Sequence, residues 1–266
     1  MIAQLMLSCL FPASGVRREG MPSRRRLAYS CVSSSACGSF HRIAAERGAA
    51  TSDPLPAEVL KVSPTSPDPE TIQYAASFIK RGRVVAIPTD TLYGLSADPF
   101  NLAAIERVFR VKGRPETRAL PILVNSIEQA TTLARDLPNS FLELAHGFWP
   151  GALTIVVEAT HRLPLKVTGN SGRVALRWPN SAVATSLIEA VGGPVTGTSA
   201  NLSGFPSCTN AAQLAKQLGD KLPLILDGGE TGAHLASTIV ALRGTEWSVI
   251  REGAVAEAEI RKTIEG

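Results

Sequence analysis

A chain of 266 residues with 44% hydrophobic content is long enough for one large domain or two small ones around a sizeable core. Its formal charge of +4 suggests nucleic acid only until it is divided: residues 1–52 hold seven Arg, no Lys and two acids (Glu19, Glu46), whereas residues 53–266 hold 20 basic and 21 acidic side chains. The body thus lacks a basic excess, its single thiol (Cys208) excludes a disulfide framework or Cys/His metal spacing, and no apolar run reaches the roughly 20 residues of a membrane span.

Residues 1–52 are Arg-rich, Ser-rich and acid-poor, and they carry Cys9, Cys31 and Cys37. That composition fits an organelle transit peptide, a disordered extension, or a start assigned too early with Met21 as another candidate. A cytoplasmic location is expected if the segment is not a targeting signal, and a mitochondrial or plastid one if it is. Residues 53–67, with prolines at 54, 56, 64 and 67, read as an extended linker. A helix follows over 69–82, with Asp68 as its cap, Pro69 in its first turn, Ile72, Ala75, Ala76 and Ile79 on one face, and Gly82 at its end. The apolar run 83–88 predicts a buried strand. Further helices are predicted over 102–111, 127–134, 140–147, 182–191, 211–218 and 256–264. Further strands are predicted over 120–124, 153–158, 174–177, 194–198, 222–226, 238–242 and 247–251. Helices and strands intermingle without long linkers, so one α/β domain over 68–266 is expected, built on a twisted, mostly parallel mixed sheet flanked by helices.

No GxxxxGK[ST] loop, GxGxxG after a strand, HExxH or GxSxG occurs. Four polar clusters remain. Pro88-Thr89-Asp90-Thr91-Leu92-Tyr93-Gly94-Leu95 follows the first strand of the body, where an α/β sheet presents its ligands; on composition alone an ordinary turn accounts for it. Lys112-Gly113-Arg114-Pro115 follows a helix and offers a compact charge beside a planar fork, suited to an oxyanion; favourable cations at a helix C-terminus are the plainer reading. Thr196-Gly197-Thr198-Ser199-Ala200-Asn201 allows close backbone approach, and Ser199 and Asn201, two apart, project to one side. Asp227-Gly228-Gly229 and Ala236-Ser237-Thr238 repeat that pattern of small and hydroxyl residues. Arg177, ending a core strand, needs a partner, either a substrate carboxylate or a protein one.

Taken in order, these stretches resemble the YrdC-like family, the threonylcarbamoyl-AMP synthases: IPTDTLYGLSAD (87–98), FRVKGRP (109–115), FWPGALTIVV (148–157), VALRWP (174–179), TGTSANLSG (196–204), LILDGG (224–229), STIV (237–240) and IREG (250–253). The resemblance covers about residues 68–255. It implies a nucleotidyltransferase that joins ATP, L-threonine and bicarbonate or CO2 into threonylcarbamoyl-AMP with release of pyrophosphate, and a downstream transferase that passes the group to adenosine in tRNA. By that resemblance Lys112, Arg114, Ser199 and Asn201 form the catalytic cradle. Arg173, Ser207 and Arg251 join them around ATP, and Thr91, Tyr93, Arg177, Gly197 and Ser237 surround threonine. Mg2+ is expected with ATP; no metal ligand is identified. On this reading the cations at 112 and 114 face the groups at 199 and 201 across room for a triphosphate. Departures are Asp90 and Ala236, where members often carry Glu, and Leu120–Val124, where many carry a His. The chain resembles short members that lack an extra C-terminal domain. The alternative is an RNA-binding module of the same fold, or a weak direct RNA contact, using the same arginines; no membrane partner is expected.

Overall fold

The computed structural model describes residues 56–232 and 235–266. In chain order the elements are β1 (Glu58–Lys61), α1 (Pro69–Lys80), β2 (Val85–Ile87), β3 (Gly94–Ser96), α2 (Leu102–Lys112), β4 (Ile122–Leu123), α3 (Ile127–Thr131), α4 (Asn139–Phe148) and β5 (Leu153–Glu158). Then come β6 (Arg173–Arg177), α5 (Ala182–Val191), β7 (Val195–Thr196), β8 (Thr198–Ser199), α6 (Ala211–Leu218), β9 (Leu224–Asp227), β10 (Thr238–Arg243), β11 (Glu246–Arg251) and α7 (Glu257–Glu265).

Local chemistry sets the helix ends. Asp68 accepts from Thr71 N at 2.9 Å and Pro69 occupies the first turn of α1. Asn101, Ser126, Ser181 and Asn210 cap α2, α3, α5 and α6 in the same way, each accepting from a backbone N–H three residues on. Gly113 ends α2 in the left-handed region at φ +58°, where a side chain would be strained. The predicted apolar face of α1 (Ile72, Ala75, Ala76, Ile79) is the buried one.

The α/β class and the flanking helices are as expected, but the single, mostly parallel sheet is not. There are two mixed sheets, ordered β1-β9-β2-β3-β8 and β11-β10-β5-β6-β4-β7. Among the described residues five of the nine pairings are antiparallel. Connection length accounts for two of the five. Parallel neighbours need a crossover, and β2–β3 and β10–β11 are joined by links too short for one. The expected linker is also corrected. Its residues 58–61 form β1, parallel to β9, with Val62 N donating to Asp227 O at 2.9 Å. Prolines 56 and 64 flank this strand and leave its N–H groups free to pair. The predicted extension 1–52 lies outside the described residues.

Both faces of the five-stranded sheet are covered. Val85, Ile87, Leu224 and Leu226 pack with the inner faces of α1 and α5, while Ala86, Leu95 and Ile225 point into the main core. The six-stranded sheet is different. Leu153, Ile155, Val157, Val174, Leu176, Val240 and Leu242 enter the main core, so by strand alternation the residues between them face the other way. On that second face lie Thr154, Val156, Arg173, Ala175, Arg177 and Ile239. Three arginines or hydroxyls on an otherwise aliphatic strand face are costly unless something polar meets them.

Candidate active site

The second face of the six-stranded sheet forms one wall of a cavity of about 430 Å³; the β2–β3 loop, β8 and the start of the 197–207 segment form the other. Arg114, Arg173, Arg177 and Arg251 line it, with hydroxyls from Thr89, Thr91, Thr154, Ser171, Thr198, Ser199, Ser207 and Ser237. No Asp or Glu is among its described lining residues. Two of the four, Arg177 and Arg173, are balanced from outside the lining by Asp90 and Glu158, and Arg114 and Arg251 leave the cavity with a positive charge that suits an anion.

The arginines differ in how far the protein already satisfies them. Arg177 is 6% exposed; its Nη2 donates to Asp90 Oδ1 at 2.6 Å, its Nη1 to Thr91 Oγ1 at 2.8 Å and its Nε to Gly151 O at 2.9 Å. Its predicted need for a partner is thus met first by Asp90, and two of its five N–H hydrogens remain for a ligand. Burial lowers its pKa, and Asp90 opposes that shift. Arg173 Nη2 donates to Leu242 O at 2.6 Å, and its Nε lies 3.4 Å from Glu158 Oε1 without hydrogen-bond alignment. Arg251 Nη2 donates to Ser237 O at 2.6 Å; burial and then the charge of Arg177 lower its pKa. Arg114 donates to Thr198 Oγ1 (3.3 Å) and Ala119 O (3.0 Å), and its buried Nε has no acceptor. Burial and then Arg118 lower its pKa. Neither Arg114 nor Arg251 has a carboxylate partner among the described residues.

Ten of the twelve sequence-predicted site residues line this cavity; Lys112 and Asn201 do not. Lys112 is 4% exposed. Its Nζ donates to Ser199 O (2.5 Å), Asn201 O (3.1 Å) and Asn201 Oδ1 (3.1 Å). The expected gap between residues 112 and 201 therefore does not exist: the ammonium is a buried tie beneath the Ser199–Asn201 segment. The last turn of α2 points Lys112 inward beside Val108, Phe109 and Val111, all buried. Burial brings its pKa down to about 8, with Arg114 adding to the effect. Asn201 completes the tie, accepting from Ser199 Oγ at 2.7 Å and donating to Phe205 O at 2.6 Å.

Tyr93 is among the residues lining the cavity but is fully buried, and its hydroxyl is engaged elsewhere, donating to Gly229 O (2.7 Å) and accepting from Gly228 N (3.2 Å). Gly197 is needed because a side chain there would collide with Leu123. Ser237 Oγ lies 2.8 Å from Thr154 Oγ1. Thr154 and Ser171 were missed by sequence reasoning. The signal for Thr154 was present: it is the one hydroxyl among the apolar residues 153–157, on the alternate that faces away from the core.

A family model described as Telomere recombination, which covers the Sua5, YciO and YrdC proteins, matches residues 77–253. A Pyrococcus abyssi protein named threonylcarbamoyl-AMP synthase is 41% identical over 195 residues, 73% of this chain and 57% of the relative. A Mycobacterium tuberculosis protein named putative threonylcarbamoyl-AMP synthase is 37% identical over 190 residues, 71% of this chain and 87% of the relative. The crystal structure of Pyrococcus abyssi Sua5 complexed with L-threonine superposes with a TM-score of 0.76 at 38% identity, covering 78% of this chain and 61% of that one. The chain thus spans little more than half the length of the Pyrococcus relative. The matched span runs from α1 to just past β11 and contains every residue lining the cavity, so this chain belongs to the Sua5–YciO–YrdC family.

Proposed function

We propose that this protein makes threonylcarbamoyl-AMP from ATP, L-threonine and bicarbonate or CO2, for transfer by a downstream enzyme to adenosine in tRNA. The observation that carries the reading is the cavity with four arginines and no lining carboxylate. The names of the relatives and the threonine complex of the Pyrococcus protein support it. In the reaction, threonine's amine takes up bicarbonate or CO2 as a carbamate. A carbamate oxygen then bonds to the α-phosphorus of ATP, and the bond to the bridging oxygen breaks, releasing pyrophosphate.

Such a transfer asks the protein for position and charge rather than covalent chemistry. Arg114 and Arg251, free of carboxylates, would meet the phosphate oxygens, with Ser199 and Ser207 donating beside them and Arg173 behind. Arg177 would direct its two remaining N–H groups to threonine's carboxylate, with Thr91 and Ser237 alongside and Gly197 giving close backbone approach. Lys112 and Asn201 would act from beneath, fixing Ser199. The residues present do not suit a resident Mg2+: no carboxylate lines the cavity, and no group of three ligating side chains occurs among the described residues. Mg2+ would arrive on the nucleotide's own oxygens.

The test is pyrophosphate release from ATP and bicarbonate with single amino acids. Release with threonine alone is expected. Release indifferent to the amino acid would assign the cavity to another adenylating activity, and salt-sensitive RNA binding without any release would favour an RNA-binding module.

A further inference from the structure

The wall that carries Arg114 is held by its own helix only at its start, where Arg114 N donates to Phe109 O at 3.1 Å. Beyond Gly113 the chain runs irregularly to Ala119, with Pro115–Arg118 exposed and a single turn of its own, Arg118 N to Pro115 O at 3.3 Å. A segment with so few internal bonds takes its pose from its neighbours. The neighbour here is the loop between β5 and β6. That loop is stiff: Val167 N bonds to Pro164 O, Asn170 N to Leu165 O and Ser171 N to Thr168 O, while Leu163 and Val167 are sunk in the main core.

The two segments meet at three points. Lys166 Nζ lies 2.6 Å from Glu106 and 3.3 Å from Glu116, at the surface, where ion pairs contribute little. Gly169, at φ +58°, lies so close that a Cβ would be 2.5 Å from Thr117 O and 2.8 Å from Ala119 N. Leu120 N donates to Val167 O at 2.8 Å. The last bond matters most, because Leu120 N–H and Ala119 C=O belong to one planar peptide unit. The Val167 carbonyl holds that plane by accepting from the Leu120 N–H, and the same plane's oxygen, Ala119 O, accepts from Arg114 Nη2 at 3.0 Å. Tilting the plane therefore moves the guanidinium.

We propose that the 163–171 loop is a positioning element for Arg114, registered by the absence of a side chain at Gly169. The claim rests on the reading of the cavity as an ATP site. Gly169→Ala introduces both a clash and left-handed strain. Gly244→Ala, at φ +57° with nothing within 4 Å, introduces the strain alone. Gly169→Asn keeps the clash with less strain, since Asn tolerates this region. Each variant is measured for melting temperature, amide exchange at Leu120, and dependence of rate on ATP and on threonine.

Both Gly169 variants are expected to speed exchange at Leu120 and to raise the half-saturating ATP on the order of tenfold, with the threonine dependence unchanged; Gly244→Ala should do neither. The proposal is overturned if the Gly169 variants behave like Gly244→Ala, or if they weaken both substrates equally along with stability. Should the wild-type protein release no pyrophosphate, the function proposed above fails. Exchange at Leu120 and calorimetric binding of inorganic triphosphate then decide the positioning claim: weaker binding in the Gly169 variants supports it, and unchanged binding ends it.

Discussion

Lys112 and Arg114 are two residues apart and do unlike work. The amine has three carbonyl acceptors and almost no exposure, whereas the guanidinium lines the cavity with an unmatched Nε. Lys112→Met would leave those acceptors buried and short of a donor, at a cost of roughly 3 kcal/mol, so calorimetry should show a melting temperature lower by on the order of 10 °C. Arg114→Ala should instead melt near the wild type and lose pyrophosphate release by about a hundredfold or more. Reversed outcomes would put the amine, not the guanidinium, in the ligand's path. Tyr93 offers a pH test. Burial, with Asp227 nearby, pushes its phenol up to about 12. The folded protein thus keeps a proton that the unfolded chain gives up near its ordinary value of 10. The resulting stability is complete below that value and is lost as pH rises toward about 12. Tyr93→Phe, which cannot ionise, should show a shallower fall in melting temperature over that window.

At the scale of elements, the cavity depends on strand alternation within the six-stranded sheet and on close approach between β4 and the link joining β7 to β8. Leu123 fills the space that a Gly197 side chain would take. Overpacking of this kind costs roughly 1–3 kcal/mol, so Gly197→Ala should lower the denaturation midpoint and slow turnover by displacing the wall. Adding Leu123→Ala should recover part of the lost stability, because the two changes act on one contact. A strictly additive double variant would show that the strain lies elsewhere. Helices were the most legible elements: the predicted bounds 182–191 and 211–218 are those of α5 and α6, each with its capping residue in place. The short strand β3 was not legible, since Gly94 and Ser96 have little strand preference of their own.

For the molecule as a whole, β1 is the least expected part. It adds a strand to β9, ties Lys61 to Asp227 at 2.6 Å and Tyr74 to Glu58 at 2.9 Å, and places Val62 in the second core cluster. A chain beginning at Thr65 should therefore melt on the order of 10 °C lower and aggregate through the bared edge of β9, while one beginning at Pro56 should not. Equal stability of the two would make β1 dispensable. Among the described residues, no helix is long and apolar enough to cross a membrane.

The order of the short motifs was enough, by itself, to assign the family and ten of the residues around one cavity, because those motifs are local runs whose chemistry survives in one dimension. Periodicity and caps likewise determined most helices. The tertiary structure alone decided that the strands divide into two mixed sheets, that residues 58–61 belong to one of them, and that Asp90 meets Arg177 before any ligand does. It also decided that Lys112 points into the protein while Arg114 points into the cavity. Pairing partners and the side of a surface on which a charge emerges depend on residues tens of positions away, and no local spacing encodes that choice.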